Sequence, residues 1–188
     1  INQYMDSIVD LFEIYRDILN TNTGDNDFSN SLNKSLEYFR NKENLTQHLN
    51  QLEIDNPSSF LLVPMFAKGH LFSAVTRKTK DGKYTATLVN LGVRGVHSQY
   101  EEYIFENSGK LTEALSFEDS ILDINEIYDR IKEKSTEKYD LLIDARDQSI
   151  GNCFLKEIEK GIKFAMISPN QVNASRRSFF ILGTHLKA

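Results

Sequence analysis

The sequence predicts an α+β fold: a small antiparallel or mixed sheet packed against a central helix that carries the lone cysteine, Cys153, with an N-terminal helical extension. Three observations predict it. Apolar residues recur at helical spacing through the first third of the chain. The middle alternates strand-sized apolar runs with turn residues. Helical spacing then returns in the last third.

In "YMDSIVDLFEIYRDIL", residues Met5, Ile8, Val9, Leu11, Phe12, Tyr15, Ile18 and Leu19 fall close to a 3.6-residue period, which predicts a long amphipathic helix. "NTNTGDND" (20–27) reads as a loop from its Asn, Gly and Asp content. Shorter helices are expected over 28–41 and 43–53, and "DNPSS" (55–59) ends the helical pattern. "FLLVPMF" (60–66) reads as a buried strand, and Pro64 assigns it to a sheet edge or a bulge. "AKG" turns the chain into a second strand, "HLFSAVTRK" (70–78). "KDGK" then marks a hairpin, since Asp-Gly accepts the positive φ of a tight turn. "YTATLVNL" (84–91) is the return strand, and "YEEYIFE" (100–106) extends the meander.

"DINEIYDRIKEKS" (123–135) opens on an Asp cap and predicts a helix. "EKYDLLIDARD" (137–147) is expected to be helical, with a strand around Leu141–Ile143 as the alternative. A helix then starts at Cys153 and carries Leu155, Ile158, Ile162 and Ala165 on one face; "SPNQ" (168–171) closes it before a last helix or strand. The expected organisation is a helical accessory region over 1–55 and an α+β domain over 56–188.

Composition narrows the function classes. With 188 residues, 40% hydrophobic and 11% aromatic, the chain has enough apolar mass for a real core. No apolar run approaches the ~18 residues that span a bilayer. A net charge of −5 argues against nucleic acid as the main partner. One cysteine excludes an internal disulfide and suits a reducing compartment. The four histidines and the cysteine lack metal-ligand spacing, and "LGVRG" (91–95) lacks a phosphate-loop pattern. Neither metal nor cofactor is therefore expected. His97 and His185 show no partners in the pattern and are expected to be exposed. Ile1 in place of Met suggests a piece of a longer protein.

The chemistry concentrates in two segments. Antiparallel pairing about the Asp81-Gly82 turn brings His70 opposite residues 90–93, where Asn90 stands. An amide oxygen there fixes the tautomer and aim of an imidazole. In "RDQSIGNCFLKEIEKGIKFAM" (146–166), a Gly-Asn turn delivers Cys153 to a helix start, where the helix dipole and a nearby imidazole favour thiolate. Gln148 stands five residues upstream, with a side-chain NH2 suited to a developing oxyanion; the Cys153 amide is a second donor. Against this stands the ordinary role of a lone helical cysteine as a small core residue. His70 beside Gly69 is also a plain turn residue, Asn90 a plain strand terminator and Gln148 a plain loop polar residue.

The order His, Asn, Gln, Cys resembles the CE clan of cysteine peptidases, which includes the ubiquitin-like deconjugating proteases of the Ulp/SENP type, the adenovirus protease and YopJ-type bacterial effectors. "GHLFSAVTRKTKDGKYTATLVNLG" is similar to the family's His-hairpin-acid segment, and "QSIGNCFLKEIEKGI" to its Gln-Cys-helix segment; together they cover roughly 60–166. The resemblance implies a catalytic set of Cys153 as nucleophile, His70 as base and acid, Asn90 as orienter and Gln148 in the oxyanion hole. It implies cleavage of peptide or isopeptide bonds at the C-terminus of ubiquitin or a ubiquitin-like protein, as a bacterial effector secreted into host cytoplasm. The chain departs from the family in having Asn90 where an acid is commoner, with Glu101 or Glu102 as substitutes in another register, and in lacking Gly after the Cys. Two alternatives stay open. One is a YopJ-type acetyltransferase using acetyl-CoA and the same residues, for which the only basic cluster is Arg176-Arg177. The other is an inactive module of the same fold that binds a host protein.

Overall fold

The computed structural model describes residues 2–22, 26–92, 97–117, 122–143 and 153–167. Helices α1 (Asn2–Asn22), α2 (Asn26–Arg40) and α3 (Leu45–Asn50) precede strands β1 (Leu61–Ala67), β2 (His70–Lys78), β3 (Tyr84–Val89) and β4 (Tyr100–Phe105). Helices α4 (Ser108–Leu115) and α5 (Ile124–Lys134), strand β5 (Glu137–Asp140) and helix α6 (Cys153–Met166) complete the described chain. The five strands form one antiparallel meander in the order β1-β2-β3-β4-β5.

The fold class is α+β, as the sequence predicts. Gly82 has φ 78°, and the Thr79 amide donates to the Lys83 carbonyl at 2.8 Å, closing the Asp-Gly turn. Pro64 lies in the edge strand β1, where its missing N–H removes no ladder bond. On the flank that α2 covers, the Phe60 amide donates to Ser31 Oγ at 3.2 Å and the Leu62 amide to Ser35 Oγ at 2.9 Å. Asp123 caps α5 by accepting from the Glu126 amide at 2.9 Å.

Alternation along the strands sorts side chains into two cores. One layer holds Leu61, Val63, Met65, Phe72, Ala74, Ala86, Leu88 and Tyr103, covered by α3, α4 and α5 through Leu49, Leu111, Ile127 and Tyr128. The other holds Leu62, Phe66, Leu71, Val75, Val89 and Tyr100, covered by α1, α2 and α6 through Phe12, Leu32, Phe39, Ile158 and Ile162. Residues of the first 55 thus enter both cores alongside the sheet. Of the apolar face expected on α6, Ile158, Ile162 and Ala165 are buried and Leu155 is half-buried.

One expectation is corrected. Residues 137–140 are a strand, not a helix: they pair with β4, Glu101 opposite Asp140. The pairing is held by Lys138 Nζ 2.8 Å from the buried Glu101 carboxylate, a contact from a distant segment that local helical spacing cannot register. The strand also precedes Leu141–Ile143 instead of containing it. Helix α4, capped by Asn107 accepting from the Lys110 amide at 2.9 Å, adds an element the sequence pattern did not suggest. The expected element after 168 lies outside the described residues. Among the described residues, no helix is long and apolar enough to cross a membrane.

Candidate active site

The site forms where β2 begins and β3 ends. The ladder sets Ser73 opposite Val89, so three residues further His70 stands against Gly92, with Asn90 diagonal to it. His70 Nε2 lies 2.7 Å from Asn90 Oδ1. An amide oxygen only accepts, so His70 donates from Nε2; in the neutral ring the lone pair then sits on Nδ1. Asn90 is fully buried, and its Nδ2 donates to the Tyr128 hydroxyl at 3.3 Å. Both ends of the amide are therefore engaged, its oxygen with His70 and its NH2 with Tyr128. Burial pushes the Tyr128 hydroxyl above its ordinary range, so it stays protonated.

Rings support this pair from behind. His70 stacks on Phe72 at 5.9 Å between centroids, and Phe72 on Tyr128 at 6.0 Å. On the other side, a Cβ built on Gly92 would stand 2.6 Å from His70 Cε1, so glycine is required for the turn to approach the imidazole. His97 was expected to be exposed without partners. Instead its ring lies 4.0 Å from that of Tyr128, its Nδ1 is 3.6 Å from Glu101 Oε2 and its Nε2 is 3.3 Å from Asn125 Oδ1. His185 lies outside the described residues.

Helix α6 arrives from the opposite layer. Glu157 accepts from the Leu91 amide at 3.1 Å, Gly161 abuts Ser73, and the Ala165 carbonyl accepts from Arg77 Nη2 at 2.7 Å. These three contacts run the helix along β2 in the strand's own direction. Burial lowers the Arg77 guanidinium to about 10, which leaves it cationic at the helix C-terminus, where the dipole favours positive charge. Cys153 is the first residue of α6, one turn before Glu157. Its backbone therefore stands at the end of the sheet where His70 opens β2. The imidazole and the helix approach this end of the sheet from opposite faces.

Of the candidate residues, His70 and Asn90 are brought into contact, and the helix opened by Cys153 converges on their end of the sheet. Gln148 lies outside the described residues, and so does the Cys153 side chain. Glu101 is engaged by Lys138, and Glu102 faces the other layer, beside Arg77; Asn90 holds the position next to His70.

Two contributors escaped the sequence reading. Tyr128 stands in no motif of the sequence, and Glu157 is buried although charged. Its spacing of four from both Cys153 and Gly161 was the available signal, because it puts the carboxylate on the face that meets the sheet. Burial raises Glu157 above the usual carboxylate range, opposed by the Leu91 and Gly92 amides and by His70.

No family model matches the chain, and no curated protein matches it.

Proposed function

We propose that this chain is a cysteine hydrolase of CE-clan type, acting on peptide or isopeptide bonds at the C-terminus of ubiquitin or a ubiquitin-like protein. The observation that carries the reading is the 2.7 Å bond from His70 Nε2 to the buried Asn90 amide at the sheet end where α6 begins. It leaves Nδ1 as the base. In the proposed reaction the Cys153 thiol gives its proton to Nδ1, and the thiolate attacks the acyl carbonyl. The resulting imidazolium returns the proton to the leaving amine, and water hydrolyses the acyl-enzyme. Gln148 and the Cys153 amide are assigned to the oxyanion. The peptide and its ubiquitin-like partner come from the family resemblance.

The test is a ubiquitin or ubiquitin-like protein ending in an electrophile, incubated with the parent chain, Cys153→Ala and His70→Ala. Covalent capture by the parent alone supports the hydrolase. Acetyl transfer from labelled acetyl-CoA without capture moves the chain to the transferases. Neither reaction leaves a protein-binding module, for which the uncharged Asn90 in an acid's place is the favouring observation.

A further inference from the structure

Asn90 orients the imidazole but brings no charge to it. A thiolate–imidazolium pair places a full positive charge on His70, and in the usual arrangement a carboxylate beside the ring offsets it. The described structure holds a carboxylate at this end of the sheet that the proposed mechanism has not used. Glu157 Oε2 accepts from the Leu91 amide at 3.1 Å, one residue after Asn90, and Gly92 closes on the ring from the same turn.

We propose that Glu157 is the charge partner of His70: Asn90 sets the aim of the imidazole, and the ionised Glu157, one turn along the helix that Cys153 opens, stabilises its protonated form. The proposal rests on the hydrolase reading of the site. It divides between two residues, on two elements, the work that one acid does in the resembling family.

Geometry and electrostatics agree on it. Glu157 is 5% exposed, so its field is little screened by water. His70 from β2 and Tyr128 from α5 are electrostatically coupled to it. Tyr128 is held neutral by burial, whereas His70 can answer the carboxylate with charge. His70 opposes the rise that burial imposes on Glu157. The Leu91 amide holds the carboxylate in place, so no side-chain reordering is needed when the proton moves from the thiol to Nδ1.

Glu157 acts through His70 and is a positioning residue, so its test separates charge from shape. Glu157→Gln keeps an oxygen for the Leu91 amide and removes the charge. In the full chain, the alkylation rate of Cys153 by iodoacetamide is followed from acid to mildly alkaline pH, with glutathione as the unactivated standard. The parent thiol is expected to outpace glutathione near neutral pH, and Glu157→Gln to slow it by about 3- to 10-fold there. The double variant Glu157→Gln/Asn90→Asp returns a carboxylate to the ring and is expected to recover most of the loss. A purely structural role for Glu157 would not be rescued by charge at another residue. Equal rates in the parent and Glu157→Gln, or no recovery in the double variant, overturn the proposal while the hydrolase reading stands. A parent thiol no faster than glutathione at any pH overturns both.

Discussion

A methyl group on Gly92 would stand 2.6 Å from His70 Cε1, so the turn after Asn90 is shaped to the face of the imidazole. Gly92→Ala must push the ring aside or lift the turn. Either movement lengthens the 2.7 Å bond to Asn90. Turnover of a fluorogenic ubiquitin C-terminal substrate should fall by about 100-fold, the scale of a 1 Å misplacement. Thermal unfolding should change little, because residue 92 is solvent-exposed. A large loss of stability with full turnover would contradict this reading.

Asn90 has two duties that substitution can separate. Asn90→Ala strips the buried Tyr128 hydroxyl of its partner and should cost about 1–3 kcal/mol in a denaturant titration. It should also lower turnover, since the base survives without its aim. Asn90→Asp keeps an oxygen toward His70 and turns the second contact round, with Tyr128 donating. It should raise turnover above the parent, because a carboxylate favours the imidazolium more than an amide does. Lower turnover in Asn90→Asp than in the parent would argue that the resting pair is neutral.

Glu157 predicts a pH dependence of stability. Burial raises its folded midpoint above the usual carboxylate range, so the folded chain holds this proton more tightly than the unfolded chain. The stability it contributes is full below the unfolded midpoint and is lost as pH rises through the folded one. The parent should therefore lose melting temperature across that window relative to Glu157→Gln, and the variant should be the more stable at pH 7. Parallel melting curves for the two proteins across the window would refute the assignment.

The seat of α6 on β2 is tested at Gly161. A Cβ there would meet Ser73 Oγ first, with Leu62 Cδ1 and Ser73 Cβ next at 3.1 Å. Gly161→Ala should cost about 1–3 kcal/mol by overpacking. Ser73 Oγ is buried without a hydrogen-bond partner among the described residues, so Ser73→Ala should be stabilising by about 1 kcal/mol. The pair in contact should couple, and Ser73→Ala should recover part of the Gly161→Ala loss. Strict additivity in the double-mutant cycle would show that the two residues do not share a contact.

The meander was legible because its signals are local. Asp81-Gly82 fixes one turn, Pro64 marks an edge, and the register that follows brings Asn90 to His70. The Asp123 cap announced α5 in the same way. The failures are non-local. "EKYD" has no strand signal of its own and is a strand through its pairing with β4, across which Lys138 reaches Glu101. Helix α4 was hidden by Gly109 near its start, although Asn107 caps it. Glu157 is charged, and charge in an amphipathic helix reads as surface until the Leu91 amide is seen to meet it. Gln148, five residues before Cys153, lies outside the described residues.

The rim of the sheet along β1 has a consequence for self-association. Strands recruit strangers through amides that still need an acceptor. Here Ser31 and Ser35 of α2 already accept from Phe60 and Leu62, and the next residue of that parity, Pro64, has no proton to give. A second molecule sliding alongside β1 would find helix instead of a template, so this edge should not seed the edge-to-edge stacking from which fibrils nucleate.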